Sequence, residues 1–257
     1  MKILIFPDAE TASRETARRI LARVKSMPKA VLGLATGGTM QAVYTALREA
    51  HRQGNVSFDA ITTFNLDEYI GLGAGHPQSY HQYMQEHLFG AVGLPKDRAH
   101  LPRGDAEDPD AEALRYEAQI RSAGGIDLQL LGLGTNGHIG FNEPTSSLTS
   151  RTRVKTLTRS TVAANARFFT DGEAVPRFAI TMGIGTILDA VEVLLLATGD
   201  AKKDAVAHMI EGPLSAACPA SALQLHRRTT VLIDEAAATR LRLRDYYETV
   251  HPGGTEQ

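Results

Sequence analysis

Short apolar runs separated by amphipathic segments recur along this chain, and that alternation restricts its fold more than any other feature. ILIF (residues 3–6) precedes TASRETARRILARVKS, AVLGLA (30–35) precedes TMQAVYTALREAHRQG, and AITTFNL (60–66) precedes a helical pattern near residues 79–89. The period switches from strand-like to helix-like each time, which is a β-α-β-α rhythm. IDLQLLGLG, VKTL, RFAITMG, VEVLLLA and TTVLI continue the strands. A run such as VEVLLLA is apolar at successive positions, so both of its faces must be covered, as in a mostly parallel sheet between helical layers. The fold class read from this pattern is α/β. One helix is punctuated in full: Asp108 can cap it, Pro109 suits its first turn and Gly124 stops it.

No repeat or linker divides the 257 residues, so a single domain over residues 1–250 is expected, with HPGGTEQ (251–257) as a disordered tail. A formal net charge of −2 carries neither a basic nucleic-acid footprint nor an acidic tail. The one cysteine, Cys218, excludes an internal disulfide and any multi-cysteine metal site, and reads as a small apolar residue. No apolar run approaches the roughly 20 residues that span a bilayer. These features predict a soluble, cytoplasmic protein with no membrane or nucleic-acid partner.

Ligands of parallel α/β sheets gather where strands end and loops lead into helices, and three such loops carry reactive residue types. After AVLGLA come Thr36, Gly37, Gly38 and Thr39, then a helix, which brings backbone N–H groups and hydroxyls to one point. The segment lacks the Gly-Lys-Ser/Thr of a nucleotide loop and the third glycine of a dinucleotide loop. It reads either as a site for a single phosphate or as a tight turn with a threonine cap. After AITTFNL come Asp67 and Glu68, adjacent carboxylates suited to base chemistry or, more blandly, to a cap or a surface ion pair. After IDLQLL comes LGLGTNGHIGFNEP, in which His138 lies between glycines with Asn136 before it and Glu143 after it. No second histidine stands at metal-ligand spacing, so a proton relay suits this loop better than zinc. Further on, Arg151, Arg153 and Lys155 alternate, which puts them on one face of a strand, either as an anion site or as charge protecting a sheet edge. Arg167 and Lys202 are single basic residues whose segments can return to the phosphate loop.

In combination, LATGGT, FNLDEYIGL, GTNGHIGFNEP, SRTRVKTLT, ANARFF, TMGIGTILDA and LQLH resemble the glucosamine-6-phosphate deaminases, over nearly the whole chain. The resemblance implies a Rossmann-like three-layer α/β sandwich of the sugar-phosphate isomerase type. It implies conversion of glucosamine 6-phosphate and water to fructose 6-phosphate and ammonia, with no metal and no organic cofactor. By motif, Asp67 matches the enolisation base, while His138 and Glu143 match the ring-opening pair. Thr36 to Thr39, Arg167 and Lys202 match the phosphate grip. Asn136 departs from many members, which carry aspartate there; an amide turned with its oxygen towards the ring keeps the donor geometry, so activity is expected to be retained.

Ser146, Arg153, Lys155, Thr156 and Tyr246 line up with the effector site of family members that are hexamers activated by N-acetylglucosamine 6-phosphate. The resemblance therefore implies an allosteric homohexamer. Two rivals share the fold: a 6-phosphogluconolactonase-like hydrolase, which needs no carbon-proton base at Asp67, and a sugar-phosphate-binding regulator without chemistry, which is expected to lose acid-base residues that this chain keeps.

Overall fold

The computed structural model describes residues 1–166, 169 and 174–255. Its main sheet has seven parallel strands: β1 (Lys2–Phe6), β2 (Val31–Leu34), β3 (Thr62–Asn65), β5 (Ala99–His100), β6 (Leu128–Gly132), β9 (Val193–Ala197) and β10 (Thr229–Asp234), in the order β1-β10-β9-β6-β2-β3-β5. A second, antiparallel sheet joins β4 (Asp67–Tyr69), β8 (Phe178–Thr181) and β7 (Arg153–Thr156), in the order β4-β8-β7. The helices are α1 (Ala9–Ser26), α2 (Gly38–Arg52), α3 (Tyr80–Met84), α4 (Gly90–Val92), α5 (Pro109–Ser122), α6 (Arg159–Asn165), α7 (Ile184–Leu188), α8 (Lys203–Glu211), α9 (Glu235–Ala238) and α10 (Arg244–Val250). A π-helical turn over Gln85–Phe89 makes α3 and α4 one continuous rod. None of the described helices is long and apolar enough to cross a membrane.

The layers follow from connectivity. The chain steps one way across the sheet through β1, β2, β3 and β5, then back through β6, β9 and β10. Right-handed crossovers put the helices of the first run on one face and those of the return run on the other. The expected three-layer α/β sandwich is therefore present. All five residues of β9 are buried, and so are all six of β10, because helices cover both faces. The direction of travel reverses between β2 and β6, which are neighbours, and that switch point opens a crevice at their carboxyl ends.

Local chemistry sets the helix starts. Asp8 caps α1 through Thr11, Asp108 caps α5 through Asp110 and Ala111, and Thr158 caps α6 through Thr161. Three expectations differ from the structure. The AITTFNL strand ends at Asn65, and Asp67 opens a strand of its own, because its backbone pairs with Thr181 in the small sheet. VKTL and RFAITMG also belong to that small sheet rather than to the parallel one. The tail expected to be disordered instead forms a 3-10 turn over Pro252–Gly254, with Gly254 buried against the Phe6 ring; residues 256 and 257 lie outside the described residues.

Candidate active site

The crevice at the switch point is a cavity of about 730 Å³, into which the three loops singled out above converge. On one wall, β2 runs into Thr36 and Gly37, and α2 starts at Gly38. Gly37 has φ 109° and supplies no side-chain cap, so the first N–H groups of α2 are left for a ligand. A Cβ at Gly37 or Gly38 would meet nothing within 4 Å, so it is room for a ligand, not packing, that a side chain there would take. Thr36, Gly37, Gly38, Thr39 and Lys202 all line the cavity. Lys202 ends a 3-10 turn over Asp200–Lys202, and burial lowers its pKa. A half-buried ammonium beside an uncapped helix N-terminus suits a phosphate dianion. Arg167, the other basic residue assigned to this grip, lies outside the described residues.

Asp67 forms the floor. Its side chain lines the cavity although the residue is only 5% exposed. Burial, with the charge of Glu68 next to it, raises its carboxyl from the ordinary 3.8 to about 8, and an N–H from Phe141 offsets this in part. Gly140 brings backbone against this carboxylate: a Cβ there would stand 3.4 Å from Oδ2 and 3.0 Å from the Thr181 hydroxyl.

The third wall is the glycine-rich loop after β6. The Gly134 amide donates to the His138 carbonyl (2.9 Å), and a Cβ at Gly134 would collide with the imidazole. Glycine there is what lets the ring fold back over its own loop. The polar atoms form a directed chain. Asn136 Nδ2 donates to Glu143 Oε2 (2.8 Å), so Asn136 Oδ1 faces His138 Nδ1 at 2.6 Å. Because that oxygen only accepts, Nδ1 carries the proton, and Nε2 is left with a lone pair. Glu143 also lies 3.5 Å from Nδ1 and is 2% exposed. Burial alone would raise the Glu143 carboxyl, but hydrogen bonds from His138, Thr161 and Asn136 outweigh it and bring it down to about 2.

Sequence reasoning missed several residues here. Thr158 and Thr161, at the start of α6, both donate to Glu143 Oε1. Tyr80, Phe141 and Ser160 line the cavity, with Tyr80 stacked on Phe141 at 6.0 Å between ring centroids. Nothing in the spacing of the two threonines points them at Glu143.

The second cluster is only partly assembled. Ser146 is buried, and its hydroxyl has no hydrogen-bond partner among the described residues. Arg153 and Lys155 lie on β7, an edge strand of the small sheet, and Arg153 Nη1 donates to Asn142 Oδ1 (2.9 Å). Thr156 ends β7 and is exposed. Arg151, which precedes β7, pairs instead with Asp189. Tyr246 is on α10, which packs against β1, whereas β7 packs against β8 and α5, and Tyr246 is 63% exposed. One chain therefore does not bring Tyr246 to Arg153.

The sequence pattern of the family described as glucosamine-6-phosphate isomerases/6-phosphogluconolactonase matches residues 7–232. The glucosamine-6-phosphate deaminase of Shewanella loihica is 56% identical over 97% of this chain and 93% of its own length, and that of Cellvibrio japonicus is 53% identical over 97% and 95%. A solved monomeric glucosamine-6-phosphate deaminase superposes with a TM-score of 0.91 at 48% identity, covering 93% of this chain and 100% of that one. The 6-phosphogluconolactonase of Leishmania guyanensis superposes with a TM-score of 0.73 at 20% identity, over 93% and 97% of the two chains, which is a likeness of fold alone.

Proposed function

The chain belongs to the family of glucosamine-6-phosphate isomerases and 6-phosphogluconolactonases, and from that premise we infer that it is a glucosamine-6-phosphate deaminase working in the cytoplasm. One observation carries the chemistry: a buried carboxylate, a histidine with a free Nε2 and an anion-binding loop face one cavity. The phosphate is held by Thr36 to Thr39, Lys202 and Arg167. His138 Nε2 takes the proton of the anomeric hydroxyl and returns it to the ring oxygen, which opens the pyranose, while Glu143 stabilises the transient imidazolium through Asn136. Asp67 then takes the proton from C2 and delivers it to C1, while the C1 oxygen takes up a proton that the ammonium gives up. The nitrogen is left as an iminium at C2, which water converts to a ketone with release of ammonia. Fixing the phosphate makes the two-carbon proton transfer effectively intramolecular.

Ammonia release from glucosamine 6-phosphate tests this reading directly, and acid release from 6-phosphogluconolactone with no ammonia overturns it. The pH dependence has a defined sign. Asp67 works ionised, and burial together with Glu68 raises its carboxyl to about 8, so activity is lost as pH falls through that region. Corrected for titration of the substrate amine, kcat/KM is expected to rise along a limb well above the ordinary carboxylate range. A limb below pH ~5, near the ordinary carboxylate value, would remove Asp67 as the base.

The finer reading places N-acetylglucosamine 6-phosphate at Ser146, Arg153, Lys155 and Thr156, in a homohexamer. The buried Ser146 hydroxyl, which has no hydrogen-bond partner among the described residues, supports it. It requires self-association, because Tyr246 can reach the cluster only from another subunit, whereas the similar solved deaminase is a monomer. Light scattering should give a mass near six chains, and the effector should lower KM. A monomer with hyperbolic kinetics indifferent to the effector would leave the deaminase standing without this regulation.

A further inference from the structure

Glu68 has no part in the reaction just described, yet it is 1% exposed, and an ionised carboxylate is costly to bury without compensation. Its compensation is unusual in where it comes from. Oε1 accepts the N–H groups of Tyr69 and Tyr80, each at 2.9 Å, and Oε2 accepts that of His81 at 2.9 Å. Tyr80 and His81 are the first two residues of α3, whose third N–H, from Gln82, goes to the Ser79 hydroxyl at 3.1 Å. The helix already has an N-cap, so an ordinary start did not need a buried acid from a distant strand. Behind the carboxylate the backbone closes tightly: a Cβ at Gly104 would collide with the Tyr69 and Leu72 carbonyls and stand 3.2 Å from Glu68 Cγ.

The rod that Glu68 holds carries Tyr80 into the site and Tyr83 to the loop that opens α2. The Tyr80 ring lines the cavity and stacks on Phe141, and its hydroxyl donates to that of Tyr69 (3.2 Å). One turn on, the Tyr83 hydroxyl donates to the Gly37 carbonyl (2.8 Å) in the loop that opens α2. An unbroken path of bonds thus runs from β4 through Glu68 and α3 to the anion loop, while the residue before Glu68 on β4 is Asp67.

We propose that Glu68 is a positioning residue for the reaction: it locks α3 to β4 and so, through Tyr83, holds the phosphate loop at a fixed place relative to Asp67. The inference rests on the phosphate role proposed above for Thr36 to Thr39. It explains why an acid is retained where an apolar residue would bury at less cost: only an acceptor with two oxygens can span the strand's own N–H and two N–H groups of the helix.

The test uses the full chain, with inorganic phosphate as the probe of the loop and glucosamine 6-phosphate turnover as the probe of alignment. Glu68→Gln keeps one acceptor but turns an NH2 towards a helix N–H. It should weaken phosphate binding about tenfold and lower kcat about tenfold to a hundredfold. Tyr83→Phe should weaken phosphate about threefold to tenfold and raise KM more than it lowers kcat. In the double variant, Tyr83→Phe should add no further loss of phosphate affinity, because the path is already cut. Wild-type phosphate affinity in Glu68→Gln, or additive losses in the double variant, would overturn the proposal and leave Glu68 a helix anchor only. Should Glu68→Gln fail to fold, Glu68→Asp replaces it with the same expected non-additivity, and Tyr83→Phe with unchanged phosphate affinity refutes the path by itself. A wild-type chain that binds no phosphate would instead overturn the assignment of the loop.

Discussion

Asp67→Asn is expected to lower turnover of glucosamine 6-phosphate on the order of 10³-fold while inorganic phosphate binds as it does to the wild-type chain. The two parts of that result have separate physical origins. Asparagine matches the carboxylate in size, and the Phe141 N–H above it is held by the Thr181 hydroxyl (3.0 Å), so the cavity floor keeps its shape. It cannot take a proton from carbon, so the loss falls on the step that needs a base, and kcat and kcat/KM should fall together. Stability should not suffer, because a neutral amide is cheaper than a carboxylate at a position only 5% exposed and beside another acid. Steady-state kinetics, a phosphate-inhibition series and a melting curve on the same preparation decide it. Turnover within about tenfold of wild type, less than a positioned base contributes, would end the assignment of Asp67.

Much of this architecture was legible because burial leaves a period in the sequence. AVLGLA, IDLQLL, VEVLLLA and TTVLI appear as β2, β6, β9 and β10, and Asp108-Pro109 starts α5 where the residue types place it. His138 stood out between glycines, but the sequence did not show that Gly134 yields its Cβ space to the imidazole itself. What stayed hidden depends on partners far along the chain. Nothing in VKTL or RFAITMG says that they pair with each other and with Asp67 outside the parallel sheet, because a period reports which faces are covered and not by what. For the same reason Glu68 read as a candidate base, a cap or a surface ion pair, and not as the anchor of α3: the N–H groups it accepts there come from residues 12 and 13 positions away. Arg153 and Tyr246 resembled parts of one effector site, yet β7 packs against β8 and α5 while α10 packs against β1, a difference that motif order along a chain cannot reveal.

The other large effect is expected from Glu143→Gln, and it turns on the direction of a hydrogen-bond chain rather than on a lost contact. Glu143 can only accept, which forces Asn136 to donate towards it and to show its oxygen to His138, which in turn places the imidazole proton on Nδ1. Glutamine can keep the Thr158 and Thr161 hydroxyls as donors by setting its carbonyl where Oε1 stands, so the start of α6 persists. Its NH2 then meets the NH2 of Asn136, and the repulsion is relieved by flipping the Asn136 amide. The flip shows an NH2 to His138, moves the imidazole proton to Nε2 and leaves no lone pair to accept the anomeric proton. The charge that stabilised the imidazolium is lost as well, so turnover should fall on the order of 10²- to 10⁴-fold, the range found when a histidine relay is held in the wrong tautomer. Imidazole 15N spectra should show His138 protonated at Nδ1 in the wild-type chain and at Nε2 in the variant, with phosphate affinity unchanged. A wild-type ring already protonated at Nε2, or a variant with near-normal turnover, would mean that the pyranose is opened by some group other than this relay.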